Sequence, residues 1–198
     1  MRATVASTET NHWESIIQRA QTLDPEAFDA IVDEYSVRLY GFIFRLTNGR
    51  ADAEELVQEV FVRVVRMIGD YEHDGRFEAW LFRIARNLAR DAFRRRRRMP
   101  GTVSLDSGAV DESPRSDDPI DRSDDGPFAA LEQRDNADRL QAALAKLPEA
   151  QREVILMRHY GEMSFQDIAE TMGTPLGTAL ARAHRGLAKL REWMESES

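Results

Sequence analysis

The stretch Phe77-Glu-Ala-Trp-Leu-Phe-Arg-Ile-Ala-Arg-Asn-Leu-Ala-Arg-Asp-Ala-Phe-Arg-Arg-Arg-Arg-Arg98 decides the fold, because it reads as one amphipathic helix. Its apolar residues Phe77, Leu81, Ile84 and Leu88 recur at intervals of four, three and four, the spacing of a buried helix face. Arginines at positions 83, 86, 90, 94 and 97 fall roughly opposite that face, at ~100° per residue. The pattern predicts a helix with a core side and a continuous guanidinium stripe that can neutralise DNA phosphates.

Charge is segregated along the chain, although the formal net charge is −8. Residues 83–98 hold eight arginines and one aspartate, a net +7, whereas residues 106–125 hold eight acids and two arginines, a net −6. A binding surface responds to its local field rather than to the charge of the whole chain. The acidic average therefore does not exclude nucleic acid as a partner.

The chain divides into three zones around this helix. Residues 13–98 show helical periodicity with few breakers, and residues 128–196 return to it. Between them, residues 99–127 collect proline, glycine, serine and aspartate without an apolar period. That composition cannot bury enough apolar surface to order itself, which predicts a flexible acidic linker. The predicted fold class is all-α, with two small helical domains on this linker.

Two more helices are predicted in the first domain. One covers Pro25–Leu46, where apolar residues such as Ile31, Tyr35 and Leu39 make a stripe. The other opens at Asp52, where Glu55 three residues later can complete a capping box.

The second domain carries the pattern of a helix-turn-helix. Ser164 and Asp167 predict a capping box, Gly173 the left-handed turn, and Thr174 the cap of the next helix. A second helix of this kind is typical of one that enters the major groove of DNA. Its predicted buried stripe is Leu176, Leu180, Ala183, Leu187 and Leu190, opposite Thr178, Ala181, Arg182, Arg185 and Lys189.

Several classes of function are disfavoured by what the sequence lacks. It has no cysteine, and its four histidines are scattered without ligand spacing, so no metal and no cofactor are expected. No apolar run approaches the roughly 18 residues of a membrane span, and no secretion signal is read at the start, so a cytoplasmic protein without membrane insertion is expected. A nuclease would need convergent carboxylates to hold metal, and neither these nor a phosphate-cradling glycine loop is found. We expect neither an enzyme nor a small-molecule substrate.

Three motifs resemble those of one family, the extracytoplasmic-function (ECF) sigma factors of bacterial RNA polymerase. Asp52-Ala-Glu-Glu-Leu-Val-Gln-Glu-Val-Phe61 resembles the helix by which they bind core polymerase. Phe77 to Asp91, with Arg94 to Arg98 after it, is similar to their −10-element helix. Leu147 to Arg152 and Ser164 to Arg185 resemble their −35-binding domain. The motifs occur in the family's order, with a linker between them.

The resemblance implies a sigma factor whose first domain is region 2 and whose second is region 4. The implied partners are core RNA polymerase, through its β and β′ subunits, promoter DNA and an anti-sigma protein. Implied polymerase-binding residues are Asp52, Glu55, Leu56, Gln58, Glu59 and Phe61. Implied −10 residues are Tyr71, Arg76, Trp80, Arg83, Arg86, Asn87, Arg90 and Arg94. Implied −35 residues are Thr178, Arg182, His184 and Arg185.

One segment departs from the family pattern. Where members commonly read Gly-Thr-Val-Lys-Ser-Arg, this chain reads Gly177-Thr-Ala-Leu-Ala-Arg182, so Leu180 replaces a cation and Ala181 a hydroxyl. The helical wheel places Leu180 beside the buried stripe, and weaker or altered −35 reading is expected. A free-standing helix-turn-helix repressor is the alternative function, although it leaves Asp52 to Arg98 without a purpose.

Overall fold

The computed structural model describes residues 2–48, 53–98 and 127–196, and these residues form helices joined by short turns and loops, with no strand among them. The predicted linker, residues 99–127, lies outside the described residues except for Pro127, which begins a helix. The helices are α1 (Arg2–Gln21), α2 (Pro25–Leu46), α3 (Ala53–Met67), α4 (Phe77–Arg98), α5 (Pro127–Lys146), α6 (Glu149–Tyr160), α7 (Phe165–Met172) and α8 (Leu176–Ser196), with a 3₁₀ turn over Ile68–Asp70.

Helix α2 is the centre of the first domain, and α1, α3 and α4 pack around it. It begins where predicted, because the Asp24 carboxylate accepts from the backbone N–H of Glu26 at 3.0 Å and Pro25 occupies the first turn. Its predicted apolar stripe is buried, with Ile31 and Leu39 inaccessible to solvent. The all-α fold expected from the sequence is confirmed.

The helix-turn-helix is formed by α7 and α8. Ser164 and Asp167 make both hydrogen bonds of the predicted capping box, and Gly173 adopts the left-handed conformation with φ 62°. The predicted cap at Thr174 is not made, since its buried hydroxyl has no hydrogen-bond partner. The Thr174 backbone N–H instead donates to Ala169 O at 2.9 Å, which closes the end of α7.

The buried stripe of α8 differs from the predicted one. Ala179, Ala183, Gly186 and Leu190 are buried, whereas Leu176, Leu180 and Leu187 are 45%, 43% and 50% exposed. The small residues allow α6 to approach closely: a Cβ added at Gly186 would lie 2.7 Å from Ile155 Cδ1. Helix α8 therefore packs mainly on its small-residue face, and Leu176, Leu180 and Leu187 lie on an exposed flank while Leu190 is buried.

The two domains pack against each other through α2 with α6 and α4 with α7. The buried residues of both domains join in one apolar cluster. Phe82 of α4 is fully buried in it, 3.1 Å from where a Cβ would sit at Gly161 after α6. The face of α4 that looks toward the second domain is thus a packed interface.

Among the helices of the described ranges, none has the length and apolar character of a membrane span.

Replacing Gly173 by alanine should destabilise the second domain by about 1 to 2 kcal/mol, the penalty of a left-handed conformation for a residue with Cβ. An added Cβ at Gly173 would meet nothing within 4 Å, so the penalty is one of backbone conformation alone. Urea unfolding followed by circular dichroism measures the change. Gly173→Asn is the control, because asparagine tolerates this conformation and should lose less. Equal losses in the two variants would contradict the explanation.

Candidate nucleic-acid interface

The exposed face of α4 is narrower than the arginine periodicity predicted. Arg83, Asn87, Asp91 and Arg94 face solvent, and Arg90 is partly exposed. Arg86 is buried, with 6% of its surface exposed. The side chain of Arg97 lies outside the described residues. The predicted continuous guanidinium stripe is therefore wrong at Arg86, because that side chain turns toward the second domain.

A cleft of about 370 Å³ opens at the start of α4. From the first domain it is lined by Tyr71, Arg76, Trp80 and Arg83, four of the implied −10 residues. From the second domain Asp167, Glu170 and Thr171 of α7 complete it. The structure thus brings half of the implied −10 set into one cavity, and places acidic side chains of α7 in the same cavity.

Aromatic side chains hold the loop before α4 in place. The Tyr71 ring lies 4.7 Å from the Trp80 ring and 5.7 Å from the Phe77 ring, between centroids. Tyr35 in turn packs 5.7 Å from Phe77, and its hydroxyl donates to Glu78 at 2.8 Å. The chain of rings gives the cleft a rigid aromatic wall, the kind of surface on which an unstacked base can stack.

Burial governs the ionisation of the two tyrosines in this wall. It raises the pKa of Tyr71 to about 12, assisted by the neighbouring carboxylates of Asp74 and Glu78. Burial also raises the pKa of Tyr35. Both hydroxyls are uncharged near pH 7, as in an ordinary tyrosine, whereas Asp70, Glu72 and Asp74 add acidic side chains to the lining of the cleft.

Arg76 stands at the mouth of the cleft and contacts acids on both domains. It pairs with Asp74 in its own loop, and hydrogen bonding from Arg76 lowers the pKa of Asp74. Across the cleft its Nη1 lies 3.3 Å from Asp167 Oδ1 and 3.2 Å from Glu170 Oε2.

Arg86 and Arg90 meet the second domain further along α4. Arg86 Nε and Nη2 both donate to Glu153 Oε2, at 3.0 and 2.9 Å, and the two side chains are 7% and 3% exposed. Arg90 Nε lies 3.6 Å from Glu149 Oε1 and 3.7 Å from Glu153 Oε1. Thr171 O accepts a further bond from Arg86 at 3.3 Å.

A second groove, of about 870 Å³, separates α3 from α4. It is lined by four of the implied polymerase-binding residues, Glu55, Leu56, Gln58 and Glu59, and by Arg94 from the implied −10 set. Phe61 packs instead against the apolar core, and Asp52 lies outside the described residues. Val62 adds an apolar side chain that is 41% exposed. The groove thus combines rims of mixed charge, on which Arg63, Arg94 and Arg95 face Glu55, Glu59 and Asp91, with an apolar floor.

The implied −35 residues lie on one part of α8. His184 and Arg185 are exposed, and Thr178 and Arg182 are partly exposed. Ala181 is exposed as well, and Leu176, Leu180 and Leu187 form an exposed flank. The prediction that Leu180 belongs to the buried stripe is wrong, since α8 packs on the face of Ala179 and Gly186 and leaves Leu180 exposed at its edge.

The acids of the second domain that meet α4 were missed by sequence reasoning. The sequence did contain a signal for these contacts, because four acids lie close together in a domain that was predicted to bind DNA: Glu149, Glu153, Asp167 and Glu170. Within the described ranges no three metal-binding side chains come together.

Comparison with known proteins connects this geometry to a family. The family model described as Sigma-70 region 2 matches residues 31–99, and Sigma-70, region 4 matches residues 137–190. The chain is 33% identical to the ECF RNA polymerase sigma factor SigE of Mycolicibacterium smegmatis, over 87% of this chain and 63% of that protein. It is 30% identical to the ECF RNA polymerase sigma factor SigW of Bacillus subtilis, over 89% of this chain and 93% of that protein.

A solved structure is similar across both domains. CnrH, in complex with the cytosolic domain of CnrY, superposes with a TM-score of 0.65 at 25% identity, over 92% of this chain and 97% of that one. The assignment to a family rests on two findings. The chain contains both family regions in order, and it matches relatives over most of their length. The chain belongs to the ECF RNA polymerase sigma factors, the sigma-70 relatives that direct promoter-specific transcription.

Proposed function

We propose that this sigma factor binds core polymerase through the α3–α4 groove, opens the −10 element at the aromatic cleft, and reads the −35 element with α8. The observation that carries the proposal is the position of α4, which forms one wall of both the groove and the cleft. A single rigid helix then fixes where promoter DNA lies relative to polymerase. The domain limits proposed are 13–98 for region 2, 99–127 for the linker and 128–196 for region 4.

Polymerase binding is assigned to the groove because its residues combine charge with apolar surface. Gln58 and Glu55 are exposed at its rim, and Leu56 and Val62 contribute apolar surface. Such a mixture is typical of a protein–protein contact with an apolar centre and a polar rim. Asp52 and Phe61 are assigned to the same contact from the family motif.

Promoter opening is assigned to the cleft because it joins an aromatic wall to arginines. Tyr71 and Trp80 can stack an unpaired base, and Arg83 can neutralise a phosphate beside it. Asn87, one turn after Arg83 on the exposed line, is placed to reach the same strand. Arg94, exposed further along α4, extends the positive surface, and Arg76, Arg86 and Arg90 are assigned to the same element from the family motif.

Reading of the −35 element is assigned to Thr178, Arg182, His184 and Arg185. Arginine and hydroxyl side chains on a helix in the major groove contact phosphates and base edges. Leu180 adds an apolar contact of the kind that thymine methyl groups provide. This combination differs from the lysine and serine common in the family.

An anti-sigma protein is proposed as a further partner, since a structural neighbour, the sigma factor RpoE of Bartonella quintana, is solved in complex with the anti-sigma factor NepR. A factor that works with polymerase on the chromosome acts in the cytoplasm. The proposed role is one of binding, and it requires no catalytic group and no cofactor in this chain.

Changing Glu55 to lysine together with Gln58 to alanine should weaken binding to core polymerase by at least about tenfold, or roughly 1.4 kcal/mol. Both side chains are exposed at the groove, so the fold should be unaffected. Affinity of the purified chain for immobilised core polymerase is the measurement. Asp29→Lys, on the exposed side of α2, is the matched charge control. If the groove variant binds as tightly as the control, polymerase does not use this groove.

Replacing Arg83 by alanine should reduce promoter opening by the holoenzyme. The slope of the logarithm of the binding constant against the logarithm of salt should shrink by about one, for one lost phosphate contact. The promoter is identified by mapping transcripts that rise when the chain is overproduced, and opening is followed by permanganate reactivity. Arg66→Ala, exposed near the end of α3, should leave the slope unchanged. A slope that responds equally to both changes contradicts the assignment.

Replacing Leu180 by lysine should strengthen binding to the −35 element and alter its base preference. Leu180 is 43% exposed, so the longer cation can reach solvent or phosphate without disturbing the core. Selection of −35 sequences from a randomised promoter pool by the holoenzyme measures the preference. Leu187→Lys, two turns later on the same flank, is the control and should leave the selected sequence unchanged. The same selected sequence from all three proteins would exclude Leu180 from base reading.

A further inference from the structure

We propose that Gln21, the last residue of α1, is a positioning residue for the −10 element: its side-chain amide holds the backbone of Tyr71 and thereby sets the ring on which an unpaired base stacks. This role rests on the stacking proposed above for Tyr71 and Trp80. Gln21 lies ten residues before the part of the chain that matches Sigma-70 region 2. Helix α1 is thus added to the −10 site from outside the matched region.

Tyr71 begins the loop that joins the 3₁₀ turn to α4, and residues 71–76 of this loop have no regular secondary structure. Both backbone polar groups of Tyr71 nevertheless have a partner. Its N–H donates to Ile68 O at 3.1 Å, and its carbonyl oxygen accepts from Gln21 Nε2 at 2.5 Å. The backbone is therefore fixed on both sides of the Tyr71 Cα, in an extended conformation with φ −77° and ψ 120°. The direction in which the ring leaves the chain follows from that conformation.

The end of α1 is a firm anchor for this amide. Ile17 and Ala20 are buried, and α1 packs against the 3₁₀ turn that precedes Tyr71. The helix ends after Gln21 because Leu23 takes the left-handed conformation with φ 60°, and its N–H donates to Ala20 O at 2.9 Å. Gln21 therefore reaches the loop from a backbone position that is itself held by the core.

Helix α1 supports the aromatic wall at a second point. The Trp13 ring lies 5.4 Å from the Tyr35 ring, which lies 5.7 Å from Phe77, the ring next to Tyr71. Ring contacts of this kind allow several offset and tilted arrangements. A hydrogen bond is more selective, because it weakens steeply as its distance and angle change. We therefore assign the position of the Tyr71 ring to the amide of Gln21 rather than to the ring contacts alone.

A fixed ring matters because stacking requires its face to be in place when the base arrives. The Tyr71 and Trp80 rings lie 4.7 Å apart, tilted by 35°. A loop that adopted several conformations would offer this geometry for only part of the time, and its affinity for the base would fall by that fraction. Gln21 is not among the described residues that line the cleft, so it acts through Tyr71 and not by touching DNA.

Three variants of the full-length chain, each assembled with core polymerase, test this role. Gln21→Met keeps a side chain of similar size and the same charge but removes the donor. Gln18→Met is the matched control, because Gln18 lies on the same helix and is exposed. Tyr71→Ala removes the ring itself.

The measurement is the affinity of each holoenzyme for the single non-template strand of the −10 element, taken from the promoter found by transcript mapping. The same strand is then made with one base removed at a time. Removing the stacked base should weaken binding by the wild type by about tenfold, the contribution of one base on an aromatic platform. Gln21→Met should lose only about threefold at that position, because its ring is less often in place. Gln18→Met should behave as the wild type does.

A purely structural role for Gln21 would give a different result. Damage to the domain would weaken binding to the intact and the abasic strand alike, and would lower the affinity for core polymerase as well. The positioning role instead lowers affinity for the intact strand alone. Combining Gln21→Met with Tyr71→Ala should bind no more weakly than Tyr71→Ala by itself, because two changes that act through one contact do not add.

The possible failures separate this role from the function on which it rests. If Gln21→Met distinguishes the intact from the abasic strand as strongly as the wild type does, the amide does not position the ring, whereas stacking in the cleft stands. Equal weakening on both strands would likewise overturn the positioning role. If no abasic position weakens binding by the wild type, no base stacks on Tyr71 and Trp80. The −10 role proposed for these rings then fails, and that of Gln21 fails with it.

Discussion

The carboxylate of Glu153, buried between Arg86 and Arg90, fixes how the two halves of this sigma factor meet. An ion pair in this position provides little net stability, because removing both charges from water costs nearly what their attraction returns. Only Glu153 Oε2 accepts hydrogen bonds, both from Arg86, whereas Oε1 has no hydrogen-bond partner and faces Arg90 Nε at 3.7 Å.

Helix α4 contacts the core of its own domain, the α3–α4 groove and region 4 with different sides. One side packs in the core through Leu81 and Phe82, a second side faces α3 across the groove, and a third faces region 4. Among the described side chains of α4, the exposed ones are Arg83, Asn87, Asp91, Arg94 and Arg95. In the proposed function, this one helix fixes where promoter DNA lies relative to polymerase, because it lines both the cleft and the groove.

Local chemistry predicted local structure well. Proline and aspartate at the start of α2, the Ser164–Asp167 capping box and the left-handed Gly173 were all foreseen, because each depends on neighbours within a few residues. The burial of Arg86 was not predicted, because its partner Glu153 is 67 residues away along the chain. Helical periodicity does not show which neighbouring element covers a given face of a helix. Leu180 was misplaced for a related reason: size suggested burial, but the close approach of Ile155 to Gly186 favoured the small-residue face. The roles of individual polymerase and DNA residues remain predictions from the family motif.

The acidity of region 4 has a physical explanation once the two domains are considered together. A domain that must approach DNA gains nothing at the DNA surface from Glu149, Glu153, Asp167 and Glu170, and their long-range repulsion slows its encounter with phosphates. Facing Arg76, Arg86 and Arg90, the same acids compensate guanidinium charge where the two domains meet. Most of these pairs are partly solvated, so they are weak individually and screened by salt.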